Sequence, residues 1–144
     1  MNLKEKLRNP YIITSQLLFV LSLTQKCYCT TSTCADSIMV LLLGWFAVFS
    51  GGAGLVWLAN PLLIASWLTF KTKLKWSMWF SVGATLISLW FLLFDSIHAS
   101  ETGQHQQIVS YKAGYWLWVL SNVTMLVGTF AGMLKENNKN SGLR

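Results

Sequence analysis

"SGGAGLVWLANPLLIASWLTF", residues 50 to 70, decides how often this chain can cross a membrane. The stretch is apolar throughout, yet it holds three glycines and an Asn-Pro pair, which a regular helix tolerates poorly. It closes a longer apolar run, residues 37 to 70, which as one helix would reach about 51 Å at 1.5 Å per residue. The hydrocarbon core of a bilayer is only about 30 Å thick. Two crossings would absorb the excess, but they would put the lysines of "KTKLK", residues 71 to 75, on the outer face. Basic residues in short loops mark the cytoplasmic side, so the run crosses once. Gly51, Gly52 and Gly54 are where it can break, because glycine takes up dihedrals that other residues avoid. Residues 38 to 49 are then a short outer helix, re-entrant or interfacial, and residues 54 to 70 the spanning one.

Three further apolar segments flank this one, at residues 10–25, 77–94 and 113–134. The 144-residue chain is 53% hydrophobic and 11% charged, against about 25% charged in soluble domains. The predicted fold class is therefore an all-α integral membrane protein. It is expected to be one domain, a four-helix transmembrane bundle with the short helix before its second span. Lys4, Lys6 and Arg8 precede the first span, Lys71, Lys73 and Lys75 join the second to the third, and Lys135, Lys139 and Arg144 follow the fourth. Lys26 and Lys112 fall on the opposite side with Asp36, Asp95 and Glu101. That asymmetry predicts both termini inside, with residues 135–144 a frayed cytoplasmic tail, in a bacterial inner (plasma) membrane. It also accounts for the net charge of +6 without a nucleic-acid partner. Lys26, rather than a small residue, precedes Cys27, so the first span reads as an uncleaved anchor.

Asn60-Pro61 lies inside the predicted second span. Proline removes a backbone donor, and in lipid the carbonyl it frees needs another partner. A kink with Asn60 bonded to a neighbouring helix is the expectation; a hinge or polar constriction is the alternative. Gly128 and Gly132 stand one turn apart, as do Ala84 and Ser88, the small-xxx-small spacing that lets helix backbones approach. Packing within the bundle is favoured for them over oligomerisation.

All three cysteines, Cys27, Cys29 and Cys34, fall in the first outer loop. A loop-tying disulfide is expected there, between Cys34 and either of the others, because Cys27–Cys29 would close a strained ring. Asp95, His98, Glu101 and His105 in the second outer loop would share one face of a continued helix. Cys27, Cys29, Cys34, His98 and His105 could together ligate zinc or copper. Gly103 and the disulfide weigh against that site, and no metal or other cofactor is expected.

No Asp, Glu, Lys, Arg or His lies well inside a span, which argues against an ion-coupled transporter. Nor is there a nucleophile–base pair or a set of paired carboxylates, so no catalytic activity is expected. The reading that remains is a non-enzymatic protein acting on another membrane protein, as an accessory, assembly or immunity-type factor. Its partners are the lipid bilayer and a membrane protein or a second copy of itself. A homo-oligomeric pore or membrane-perturbing effector, lined by Ser, Thr and Asn, is the first alternative. A small transporter or metal-handling protein is the second.

Overall fold

Asn9 and Pro10 start the first helix. The Tyr11 amide donates to Asn9 Oδ1 (3.1 Å), and Pro10 takes the first helical position, where a missing N–H leaves nothing unsatisfied. Helix α1 then runs Pro10–Leu23. The computed structural model describes residues 9–98 and 105–142. After α1 come the strands β1 (Lys26–Thr30) and β2 (Cys34–Asp36) and the helix α2 (Ser37–Ala47). Two 3-10 segments, Val48–Ser50 and Gly52–Leu58, lead into α3 (Ala59–Thr69). Helix α4 (Leu74–Trp90) ends in a third 3-10 turn, Phe91–Leu93; β3 (Ser96–His98), β4 (His105–Tyr111) and α5 (Ala113–Ser141) complete the chain.

Three helical stretches are long and apolar enough to cross a membrane: Gly52–Thr69, Leu74–Leu93 and Ala113–Ser141. The fold is thus compatible with an integral membrane protein. Helix α1, at 14 residues, is about 21 Å long and shorter than the segment expected there. Helix α5 continues past the apolar segment through Ser141, where a frayed tail was expected.

The long apolar run breaks at its glycines. Gly51 and Gly52 have φ of +70° and +57°, a region that side-chain-bearing residues rarely enter. Gly54 serves by closeness instead, since a Cβ there would overlap the Ala47 carbonyl oxygen. The chain folds back at this point, so α2 lies against the 3-10 segment that precedes α3.

Helix α5 packs between α1 and α4, and α3 packs on α4. Small residues set the separations. Gly128 abuts Tyr11 of α1, Gly132 faces Leu74 and Phe70, and Ala84 and Ser88 are fully buried on α4. Paired hydroxyls then tie the helices. Ser15 donates to the Ser121 carbonyl (2.9 Å) while Ser121 donates to that of Ser15 (2.8 Å). Ser66 and Ser77 exchange the same reciprocal bonds between α3 and α4, at 3.0 and 2.8 Å. Ser81 and Thr129 join α4 to α5 (3.0 Å). The hydroxyls on these helices are largely consumed by helix–helix contacts and by carbonyls of their own helix.

The all-α expectation fails at one end. The two loops there build a four-stranded antiparallel sheet in the order β2-β1-β4-β3, which joins the first loop to the second through β1 and β4. Its inner face places Tyr28, Ile97, Ile108 and Tyr111 against Phe91 and Tyr115 at the ends of α4 and α5. Burying those apolar side chains favours strands over the solvated loop or continued helix that their polar neighbours suggest. The face proposed for Asp95, His98, Glu101 and His105 does not form. Asp95 precedes β3, His98 pairs with His105 across the β3–β4 ladder, and Glu101 lies outside the described residues.

The cavity beneath the sheet: a candidate functional site

Asn60 and Pro61 sit in the first turn of α3, directly after the 3-10 segment, rather than inside a long helix. In a continuous α-helix residue 61 would donate to the carbonyl of residue 57, and proline cannot. Asn60 takes over that carbonyl: its Nδ2 donates to Trp57 O (3.1 Å). Its Oδ1 in turn accepts from Trp118 Nε1 of α5 (2.9 Å). Trp57 is held as well, its Nε1 donating to the Leu41 carbonyl of α2 (2.9 Å). A proline that would orphan a carbonyl is thereby made the anchor of three elements.

These contacts frame a cavity of about 500 Å³ between α2, the 3-10 segment, α5 and the inner face of the sheet. That size falls within the roughly 300–1,000 Å³ typical of small-molecule sites. Aromatic rings supply much of the wall, among them Phe19, Trp57, Phe91, Tyr115 and Trp118. Among the described residues no Asp, Glu, Lys, Arg or His lines it. Met39, Leu43 and Phe46 of α2 line the cavity, and each is more than half exposed.

Two polar groups stand out in this wall. Cys27 falls where the β1–β2 register shifts, between Lys26 and Tyr28, and its carbonyl accepts from the Lys112 amide (2.9 Å). Such irregularities re-aim a side chain, here into the cavity. Burial pushes its thiol up to about 11, and the neighbouring Ser37 hydroxyl offsets part of that effect. Thiolate is the reactive form, so at neutral pH this cysteine is a weak donor and not a nucleophile. Ser37, the first residue of α2, is 7% exposed, and its Oγ has no partner of acceptable hydrogen-bond geometry. Its approach to the Cys27 sulfur is too poorly formed to satisfy it. Gly114 makes room for this hydroxyl, since a Cβ there would overlap it.

The remaining sequence candidates are placed as follows. Cys29 and Cys34 form a disulfide across the β1–β2 hairpin, and Cys27 is free. The bond withdraws two of the five ligands considered for zinc or copper. Among the described residues no cluster of three or more His, Cys, Asp and Glu could hold a metal ion. Gly128, Gly132, Ala84 and Ser88 lie in helix contacts, and Gly51 and Gly52 at the fold-back. Sequence reasoning passed over Ser37, Trp57 and Gly114, and it read Trp118 as an interfacial anchor near a span end, whereas its indole bonds Asn60 and lines the cavity. The available signals were a serine following an acidic helix cap and a tryptophan beside the Asn-Pro pair; neither indicates a cavity by itself. No protein-family model, curated protein or solved structure matches the chain.

Proposed function

We propose that the chain is a small multi-pass membrane protein without enzymatic activity, which acts by docking on another membrane protein as an accessory, assembly or immunity-type factor. In this reading α1, the Gly52–Thr69 run, α4 and α5 are four spans of a bundle. Both termini are cytoplasmic in a bacterial inner membrane, and α2 lies in the outer interface. Charge placement supports the orientation. Gly132 packs on Leu74 and Phe70, which puts Lys71, Lys73 and Lys75 at the same end as Lys135 and Lys139, away from the sheet.

The observation that carries the docking role is the shelf made by α2. Of its 11 residues only Ser37 is buried. Ile38, Leu42, Trp45 and Phe46 are exposed along it, and Phe49 beyond it is 82% exposed. A helix that buries so little contributes little to folding, and an apolar patch of this kind suits a protein contact. The spent hydroxyls weigh against the pore reading. Ser15, Ser66, Ser77, Ser81, Ser121 and Thr129 are fully or almost fully buried and bonded within the chain, while Leu17, Val20, Leu86, Leu120 and Val127 face outward.

Site-specific photo-crosslinking in native membranes tests this. A photoreactive residue at Phe49 is expected to give one discrete heteromeric adduct, absent when the probe stands at Leu134. Purified protein in liposomes is expected to release no entrapped dye. Adducts to lipid or to a second copy alone, or dye release that scales with protein, would overturn the reading.

A further inference from the structure

The end of the molecule away from the sheet gathers basic side chains from two elements. Gly132 packs on Leu74 and Phe70, which sets the start of α4 against the last apolar turns of α5. Lys71, Lys73 and Lys75 surround that start, and all three are exposed. On α5, Lys135 and Lys139 follow Gly132 at spacings of three and seven, so they share the helix face that meets the connector. Both are exposed as well, and Glu136 is the one acidic residue beside them among the described residues. The ion pair found among the described residues, Lys26–Asp36, lies at the other end. Helix stability does not account for the gathering. Lys73 and Lys75 stand at the N-terminus of α4, where the dipole favours acidic residues, and its first turn has none. Lys135 and Lys139, one turn apart, repel each other. An anion lying between the two groups would relieve both.

The height of the patch selects the anion. Trp76 and Trp79, 57% and 72% exposed in the first turns of α4, adjoin the lysines. Tryptophans at the ends of membrane helices sit at the headgroup level of a bilayer. Leu68 and Leu134, exposed just short of the lysines, continue the apolar surface. A phosphate at headgroup level therefore meets the patch, whereas a soluble polyanion would have no use for the tryptophans. Lysine meets phosphate as a point charge, without the two-pronged geometry of arginine, and no arginine is among the described residues. Charge rather than headgroup shape is what such a patch can read.

We propose that this end of the molecule binds the phosphate groups of anionic phospholipids, between the α3–α4 connector and the end of α5, a site that rests on the membrane-spanning reading of the chain. The full chain is reconstituted into nanodiscs of equal parts phosphatidylglycerol and phosphatidylcholine, and the lipids that stay bound are counted by native mass spectrometry. One lysine near an anionic surface contributes about fivefold in affinity, so phosphatidylglycerol is expected to be enriched about fivefold or more among the retained lipids. Phosphatidylserine in its place should be enriched to the same degree, within about twofold, since only charge is read. Lys135→Gln/Lys139→Gln is expected to lower the enrichment by about half or more, and glutamine at Lys71, Lys73 and Lys75 as well should abolish it. Lys26→Gln/Lys112→Gln, which removes the same charge at the sheet end, should leave it unchanged. Equal retention of the two lipids by the parent overturns the proposal, as do equal losses from the two double variants. Neither inorganic phosphate nor soluble polyglutamate should lower the enrichment more than chloride does at equal ionic strength; displacement by either would assign the patch to a soluble anion and overturn the lipid site. Co-flotation with phosphatidylcholine liposomes keeps the two readings apart. A chain that does not insert there contradicts the membrane reading and this site with it, whereas insertion without enrichment overturns the lipid site alone.

Discussion

Replacing Ser15 with alanine removes more than one hydroxyl bond. Ser15 Oγ donates to the Ser121 carbonyl (2.9 Å) and accepts from Trp67 Nε1 (3.0 Å), so a single atom joins α1, α3 and α5. Interhelical hydrogen bonds between membrane helices contribute about 0.6 kcal/mol on average, with a maximum of about 1.7. The half-buried Trp67 indole would also lose its partner, adding a cost near the low end of about 1–3 kcal/mol. The expected loss is therefore about 2 kcal/mol. Ser22→Ala is the matched comparison. Ser22 is just as buried on α1, but its hydroxyl bonds only the Phe19 carbonyl of its own helix (2.6 Å). That carbonyl keeps its place in the helix ladder, and back-bonding of this kind adds little, so the expected loss is under about 0.5 kcal/mol. Reversible unfolding in mixed micelles of rising dodecyl sulfate fraction, followed by far-UV circular dichroism, measures both. A double-mutant cycle with Trp67→Phe should return a coupling of about 1 kcal/mol, because each variant alone breaks the same bond. Equal losses for Ser15→Ala and Ser22→Ala, or no coupling to Trp67, would refute the idea that shared hydroxyls hold these helices together.

Two further outcomes follow from backbone geometry and from burial. Gly51→Ala should cost about 1–3 kcal/mol from conformation alone, since φ is +70°, ψ is −163° and nothing stands within 4 Å of the added carbon; Gly128→Ala should cost a similar amount by the opposite route, a Cβ overlapping Tyr11 and forcing α1 from α5. The same unfolding assay reads both, and a Gly51→Ala protein as stable as the parent would contradict the first. Cys27 makes stability depend on alkaline pH: its thiol moves from 9.0 to about 11 on folding, so the folded state holds the proton more tightly. That contribution is complete below pH 9 and is lost between pH 9 and 11 at about 1.4 kcal/mol per pH unit. Comparing the parent with Cys27→Ala at pH 8, 9.5 and 10.5 checks this; parallel curves would disprove it.

What could be read in the chain was whatever depended on neighbours in sequence. The fold-back at Gly51–Gly52 was legible because only glycine accepts those dihedrals, and the apolar run is too long for one crossing. The need for a partner at Asn60-Pro61 was legible too, since a proline's missing donor is a local fact. Which partner it found was not, because Trp118 is 58 residues away. The sheet was hidden for a related reason. β1 and β4 come from different loops, and each strand is only three to seven residues long. "HQQIVSY" does carry a signal, with Ile108 and Tyr111 turned inward and Gln107 and Val109 exposed, but its polar neighbours suggested a solvated loop.

The cavity joins those two halves. Its walls come from α1, β1, α2, the 3-10 segment, the start of α3, the 3-10 turn after α4, β3 and α5, so no window of sequence contains it. It exists because the glycine break lays α2 back over the 3-10 segment while the sheet covers the end of α4 and α5. A chain selecting only for packing could close the gap with a larger side chain at Ala53, which lines it, and could give Ser37 an apolar replacement at little cost. Instead the space is framed by three interlocked bonds at Leu41, Trp57, Asn60 and Trp118, and beside it the buried Ser37 hydroxyl is left without a partner. Local rules are expected to be broken where a site has a use, and here both breaches, the void and the unpaired hydroxyl, fall in the same place.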